Sequence, residues 1–328
     1  MLWIEKYRPQ NFEELLGQPS AAKQLQAYAE AGNLPHLMVI GRSGVGKTAA
    51  LEIFSQNFYT ESPAENTTVL PVSVMFSQGH TYFAENERFA HLYQKGKSVL
   101  ANFKYIVKWH ASLKPLSAPF RLIIFDGAGD LPKDAQAALR RIMERYSQTC
   151  RFIFVTNIIA SLIDPIRSRC VPLYFLPIDD EMMLAHLSRI LEAEGCSDRV
   201  SSDMLEMIVL GAKGDVRKAV MWLELAACYG VDDPLALSQT ETGCMADACI
   251  RAMASGDADK GRQICENLLI EYGLTTADVL SLLRKSVRPY VTPDIALLFS
   301  RADIAVRAGQ NEYLQMNAFA AELSEMLR

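Results

Sequence analysis

One short segment limits the folds open to this chain more than any other. Gly41-Arg42-Ser43-Gly44-Val45-Gly46-Lys47-Thr48 has the spacing G-x-x-x-x-G-K-[ST], follows an apolar segment at residues 37–40 and precedes a predicted helix over 48–58. In that setting the glycines let backbone amides wrap around phosphates, and the helix N-terminus adds partial positive charge. Lys47 would reach the β- and γ-phosphates, and Thr48 would bind Mg²⁺. The segment therefore predicts an ATP site with Mg²⁺, against the alternative of a glycine-rich turn that matches by chance.

A second metal ligand is expected at the end of another strand. Asp126 directly follows the apolar residues 122–125, and ligands of open parallel sheets bind at the carboxyl ends of the strands. We therefore predict that Asp126 holds Mg²⁺, with a solvated turn aspartate as the alternative. Hydrolysing proteins of this class place a glutamate directly after this aspartate to polarise the attacking water. Here Gly127 follows, and no nearby carboxylate replaces the glutamate except that of Asp130.

The first half of the chain alternates short apolar strands with helical segments, which is typical of a parallel sheet covered on both faces. One clear helix is predicted over 134–146, with its apolar residues on one face. The predicted strands are residues 37–40, 69–74, 122–125, 152–156 and 171–175.

From about Pro177 the strand pattern disappears. Amphipathic helices are predicted over 179–194, 202–210 and 216–229, a break follows at residues 229–234, and the remainder is predicted to be helical. The predicted fold class is an α/β nucleotide-binding domain (1–177), a small helical lid domain (178–231) and an all-α domain (235–328).

Composition restricts the partners of the chain. Half of the residues are apolar, the net charge is −5, and seven cysteines are scattered without a metal-binding spacing. No apolar run approaches the ~18–20 residues of a membrane helix, and no secretory signal is evident, so we expect a cytoplasmic protein with reduced thiols and no membrane partner. Contact with nucleic acid would require a local basic surface.

Several motifs resemble one family. They are Trp3-Ile4-Glu5-Lys6-Tyr7-Arg8-Pro9, Asn11-Phe12-Glu13-Glu14-Leu15-Leu16-Gly17-Gln18, Ala135-Gln136-Ala137-Ala138-Leu139-Arg140-Arg141-Ile142-Met143-Glu144, Pro165-Ile166-Arg167-Ser168-Arg169-Cys170 and Gly214-Asp215-Val216-Arg217-Lys218-Ala219. Together these resemble the replication factor C small subunits, the AAA+ clamp-loader ATPases of archaea and eukaryotes. The resemblance implies an AAA+ domain, a lid and a C-terminal collar, within a hetero-oligomer that loads a sliding clamp onto primer–template DNA in the nucleoid or nucleus.

The resemblance also implies roles for single residues. Asn157 would sense the γ-phosphate, Arg217 would be the second sensor, and Arg169 would be an arginine finger reaching the neighbouring subunit's ATP. The alternatives are a strand-end amide, a helix-surface arginine and a structural salt bridge, respectively. Near the adenine would lie Tyr7, Arg8 and Pro9.

Three departures from the family pattern point to a specialised subunit. The family's Asp-Glu-Ala-Asp is replaced by Asp126-Gly127-Ala128-Gly129, two usual prolines of the phosphate loop are Arg42-Ser43, and the family's Ser-Asp-Glu-Arg-Gly region is rewritten around residues 83–88. We expect ATP binding to be retained, hydrolysis at this chain's own site to be slow, and ATPase activity to arise in the complex. A glutamate introduced at position 127 is expected to restore some hydrolysis if the site geometry is otherwise intact.

Two surfaces carry partner predictions. A basic stretch that contains no acidic residue is predicted to face DNA. The alternative is that it forms a solvated helix face over buried aromatic residues. The basic residues of this stretch are Arg88, Lys95, Lys97, Lys104 and Lys108. An apolar face in the last helix resembles the collar, with an ordinary helical core as the alternative; its residues are Leu314, Ala318, Ala321 and Met326.

Two other functions stay open at this point. One is a non-hydrolysing scaffold subunit that only binds ATP and lends Arg169 to its neighbour. The other is a different AAA+ DNA-remodelling ATPase, such as a branch-migration motor.

Overall fold

The computed structural model describes residues 1–59, 61–115, 118–231, 241–308 and 311–327. The chain forms two compact units, residues 1–232 and 233–328. The predicted lid helices belong to the same unit as the sheet, and the boundary at residue 177 stays a prediction. Part of the predicted break at 229–234, and the predicted domain start at 235, lie outside the described residues.

A five-stranded parallel sheet forms the centre of the first unit. Its strands are β1 (Leu37–Ile40), β2 (Thr67–Pro71), β3 (Arg121–Asp126), β4 (Cys150–Thr156) and β5 (Val171–Tyr174). They lie in the order β2-β3-β4-β1-β5. Ile40 pairs with Thr156, and Asp126 with Val155. The carboxyl ends of β1, β4 and β3 are therefore neighbours at one edge of the sheet.

A short helix stands at the N-terminus, and the helices that follow it connect the strands and cover both faces of this sheet. They are α1 (Trp3–Lys6), α2 (Pro19–Glu30), α3 (Lys47–Phe58), α4 (Pro63–Asn66), α5 (Val72–Gln78), α6 (His80–Glu85), α7 (Val99–Ser112), α8 (Lys133–Arg145) and α9 (Asp164–Arg167). Successive strand residues enter different cores, since Phe125 packs in one cluster and Ile124 in the other. Burial on both faces explains why the strands appear in the sequence as continuous apolar runs.

The predicted strand at 69–74 is wrong in its second half. The strand ends at Pro71, and α5 begins at Val72. Val72 and Met75 are fully buried, whereas Val74 is exposed, so the apolar residues follow helical spacing instead of alternation. This change places Ser73 in the first turn of a helix beside the carboxyl end of β3.

Three helices complete the first unit. They are α10 (Asp180–Glu194), α11 (Ser202–Ala212) and α12 (Val216–Tyr229). Gly195 and Gly230 end α10 and α12 in the left-handed conformation, which glycine adopts without a Cβ penalty. The Asp215 carboxylate caps α12 by accepting a hydrogen bond from the Lys218 amide at 3.1 Å. The sequence predicted these three helices to within about two residues.

The second unit is helical throughout its described residues. Its helices are α13 (Glu241–Ala254), α14 (Ala258–Ile270), α15 (Thr276–Ser286), α16 (Pro293–Ala308) and α17 (Glu312–Leu327). In α17 the core face is made by Met316, Phe319, Ala320 and Leu323. The four apolar positions predicted as a collar face, Leu314, Ala318, Ala321 and Met326, are all exposed. The alternative that they form an ordinary core is therefore wrong.

No described helix is long and apolar enough to cross a lipid bilayer.

Candidate nucleotide-binding site

The phosphate loop connects β1 to α3 through glycines in conformations that other residues disfavour. Gly44 and Gly46 have φ of 71° and 93°, and Gly46 is the N-cap of α3. A Cβ on Gly44 would stand 1.7 Å from Oδ1 of Asp215. The amide of Val216 donates to the Gly44 carbonyl at 3.1 Å. The N-terminus of α12 therefore packs directly against the loop, and only glycine fits at position 44.

Lys47 is buried beneath this loop. Its Nζ donates to the carbonyl of Gly41 at 2.7 Å, to that of Arg42, and to Oδ1 of Asn157 at 3.2 Å. Burial lowers the pKa of the Lys47 ammonium, with the charge of Asp126 opposing that effect and the charge of Arg217 adding to it. The lysine thus joins the loop to the end of β4, in a position where phosphate oxygens could replace the carbonyls as acceptors.

A cavity of about 660 Å³ collects most of the predicted site. The predicted residues that line it are Tyr7, Arg8, Pro9, Ser43, Gly44, Val45, Gly46, Lys47, Thr48, Asp126, Asn157 and Arg217. Gly41 and Arg42 are not among the lining residues, and their carbonyls accept hydrogen bonds from Lys47. The strand order explains the convergence, because the ends of β1, β4 and β3 bring Lys47, Asn157 and Asp126 to one edge.

The donor set suits Mg²⁺. The Thr48 hydroxyl and the Asp126 carboxylate line the same cavity as Lys47, and Mg²⁺ prefers oxygen ligands contributed by one or two protein groups together with phosphates. These two residues could hold the ion, which would neutralise charge on the phosphates when bound.

The N-terminal segment closes one side of the cavity by binding the lid helices. The Tyr7 hydroxyl donates to Oε1 of Glu194 at 2.6 Å, and Lys6 forms an ion pair with the same oxygen at 2.6 Å. The amide of Trp3 donates to Oε2 of Glu224 at 3.0 Å. These contacts join the segment to α10 and α12, and all residues from 3 to 9 except Lys6 line the cavity.

A glutamate at position 127 would restore some hydrolysis only if the site geometry is otherwise intact, and the backbone at Gly127 does not meet that condition. Gly127 has φ of 71°, a conformation that costs other residues about 1–2 kcal/mol. A Cβ there would stand 2.7 Å from Oγ of Ser73. A glutamate at 127 would therefore strain the turn and displace Ser73, so Gly127→Glu is not expected to restore hydrolysis.

Arg169 lies outside the residues that line its own cavity. Its guanidinium donates to Oε1 of Glu144 at 2.5 Å and to the carbonyl of Pro165 at 2.8 Å. The hydrogen bond from Arg169 lowers the pKa of the Glu144 carboxyl. Both the finger and the salt-bridge interpretations remain compatible with this geometry, because the ion pair is at the surface.

The basic stretch divides into two parts. The Arg88 guanidinium donates to the carbonyls of Ala64 at 3.0 Å and Thr67 at 2.7 Å, so it joins α4 to the start of β2 and is not a free cation. Lys95, Lys97 and Lys108 are exposed and Lys104 is half-buried. Among the described ion pairs none involves these four lysines.

Most aromatic residues of the basic stretch belong to the core. This agrees with the alternative that the stretch is a solvated helix face over buried aromatic residues. Phe89 and Phe103 are buried, and Tyr93 and Trp109 pack against the same cluster. Tyr105 is exposed, on α7 between Lys104 and Lys108.

Sequence reasoning missed three residues at or beside this cavity. His186 of α10 and Ser161 line the cavity, and Ser73 hydrogen-bonds to Asp130. No motif marks any of them, because each reaches the site through tertiary packing. Burial lowers the pKa of His186, which favours a neutral imidazole at the cavity wall.

Backbone comparison identifies the fold. A single-residue variant of Thermotoga maritima RuvB superposes with a TM-score of 0.51 at 17% identity, over 84% of this chain and 85% of that chain. The Aeropyrum pernix ORC1 protein, solved in complex with DNA, superposes with a TM-score of 0.54 at 16% identity, over 99% of this chain and 87% of that chain. With a parallel sheet, a phosphate loop and helical lid and C-terminal regions, the fold is that of the AAA+ proteins.

Sequence comparison narrows the class to a family. Residues 17–179 match the profile described as DNA polymerase III, delta subunit. The replication factor C small subunit of Archaeoglobus fulgidus is 31% identical over 100% of this chain and 98% of its own length. The replication factor C small subunit 1 of Pyrobaculum arsenaticum is 32% identical over 96% of this chain and 92% of its own length. The chain belongs to the replication factor C small-subunit family.

Proposed function

We propose that this chain is an ATP-binding subunit of a hetero-oligomeric clamp loader that places a sliding clamp on primer–template DNA. The observation that carries the proposal is the convergence of Lys47, Asp126, Asn157 and Arg217 on one cavity, in a chain similar to the small subunits over its whole length. Thr48 and Asp126 would hold Mg²⁺ with the nucleotide. Hydrolysis at this site is slower than in subunits that carry the water-polarising glutamate, which Gly127 replaces here, and Arg169 serves the ATP of a neighbouring subunit.

The proposal is tested by measuring whether the tagged chain assembles with other subunits. A substitution on the exposed apolar face of α17 is expected to prevent that assembly. Leu314 is 66% exposed and Ile270, in the same unit, is 64% exposed. Leu314→Asp is expected to abolish capture of the other subunits by the tagged chain, because a charge in an apolar contact stays unpaired. Ile270→Asp introduces the same charge elsewhere and should retain capture.

Native affinity capture followed by mass measurement identifies the subunits that each variant retains. Thermal unfolding shows that both variants fold. Equal capture by both variants would remove the α17 face from the interface. A wild-type chain that captures no related subunit at all would contradict the clamp-loader proposal.

Lys104 and Lys108 give a prediction about DNA. They lie one turn apart on α7, so both can follow a phosphate backbone. Charge reversal at both is expected to weaken DNA binding by the complex and to reduce the slope of log K against log salt by about 2, since each phosphate contact contributes ~0.9. ATP affinity should not change.

Fluorescence anisotropy at several salt concentrations measures this slope. Reversal of Lys23 and Lys285, which are exposed on α2 and α15, changes the net charge equally and serves as the control. If the two double variants give the same slope, the basic stretch is only a solvated helix face.

A further inference from the structure

We infer that Asp130 supplies the water-polarising carboxylate that position 127 lacks, and that Ser73 holds it in place. This inference rests on the proposed function, because it concerns hydrolysis of the ATP bound in this cavity. Asp126, Gly127 and Asp130 all line that cavity. The residue that directly follows the altered acidic motif therefore brings a second carboxylate to the site.

The backbone after β3 turns so that Asp130 returns toward position 127. Gly127 begins the turn in the left-handed conformation, and a single 3-10 turn follows over Ala128–Asp130. The amide of Asp130 donates to the Gly127 carbonyl at 3.0 Å. Two residues that are separated in sequence thus become direct neighbours in space.

The distances match the reach of the missing side chain. Oδ2 of Asp130 lies 3.6 Å from the position that a Cβ of residue 127 would occupy. With C–C bonds of about 1.5 Å, a glutamate places its carboxylate oxygens about 3–4 Å from its own Cβ. The Asp130 carboxylate therefore lies about as close to position 127 as a glutamate's own carboxylate would, although in this turn a glutamate at 127 would also displace Ser73.

Ser73 fixes the direction of this carboxylate. Its Oγ donates to Oδ2 of Asp130, and it is brought there because β2 ends at Pro71, which pairs with Asp126 in the sheet. One carboxylate oxygen is thus occupied, and Oδ1 remains to accept from water. Asp130 is exposed, so water can reach it.

The chemical step needs only ATP and water. A water held by Asp130 attacks the γ-phosphorus, its oxygen forms the new bond, and the bond from the γ-phosphorus to the β,γ-bridging oxygen breaks. ADP leaves with that electron pair, and the water's proton passes to Asp130 and then to solvent. Asp130 acts as the catalytic base, and Ser73 is a positioning residue.

Single-turnover hydrolysis of labelled ATP by the full-length chain in excess tests this assignment. Asp130→Asn is expected to lower the rate about 10²-fold, the lower end for loss of a general base. Ser73→Ala should lower it by ~2–10-fold, and Ser73→Thr, which keeps the hydroxyl, should restore it. None of the three should change ATP affinity in calorimetry.

Asp134→Asn, exposed on α8 outside the cavity lining, is the matched control and should hydrolyse ATP at the wild-type rate. A wild-type chain that does not bind ATP would refute the proposed function itself. A wild-type chain that binds ATP normally but hydrolyses it neither alone nor in the captured complex would refute only the role of Asp130. Equal hydrolysis rates for the wild type and the Asp130→Asn variant would refute that role as well.

Discussion

Arg169→Ala is expected to cut the DNA- and clamp-stimulated ATPase of the assembled complex by roughly 10³–10⁵-fold at the neighbouring site, the range for loss of an arginine finger. The planar guanidinium stabilises charge on the transferring phosphoryl group, and lysine should not substitute because it lacks the fork geometry. ATP binding by the isolated chain should stay unchanged, since Arg169 does not line its own cavity.

Glu144→Gln separates the two interpretations of this arginine. That variant removes the ion pair at 2.5 Å but keeps the guanidinium. If Arg169 is a finger, Glu144→Gln should retain most of the ATPase, because a surface ion pair contributes only about 0–1 kcal/mol to stability. Equal losses in both variants would favour the structural salt bridge. Loss of ATP binding by the lone Arg169→Ala chain would mean that the residue acts within its own subunit.

Lys47→Ala is expected to weaken ATP binding by roughly 10²-fold or more, because charge-assisted hydrogen bonds to two phosphates are lost. The side chain is 8% exposed and holds two loop carbonyls and Asn157. Its removal therefore also loosens the connection between the loop and β4.

Isothermal titration calorimetry measures this affinity, and thermal unfolding establishes that the variant folds. Lys23→Ala removes an exposed cation from α2 and should leave ATP affinity unchanged. Unaltered ATP affinity in folded Lys47→Ala would overturn the assignment of the phosphate loop.

Local patterns predicted the parts of the site that depend on short spacing. The phosphate loop needs only a strand, a short glycine-rich segment and a helix, and the structure places Lys47 and Thr48 at the start of α3 as expected. Asp126 ends a buried strand, so its position at the sheet edge follows from parallel pairing. The meeting of these residues with Asn157 and Arg217 in one cavity follows from the family resemblance.

Features that depend on tertiary packing could not be predicted in the same way. Val72 and Val74 favour a strand by residue type, yet burial of Val72 and Met75 selects a helix and brings Ser73 to the site. In α17 apolar residues occur on two faces, so periodicity alone does not show that Phe319 is in the core while Leu314 is exposed. The left-handed turn at Gly127 is likewise invisible until its neighbours are placed.

The most direct test of the central claim is clamp loading itself. The complex captured with this chain should retain a sliding clamp on circular primed DNA after gel filtration, in an ATP-dependent manner. Omission of the chain from the reconstituted complex should abolish that retention. Loading that proceeds equally without this chain would contradict its assignment as a clamp-loader subunit.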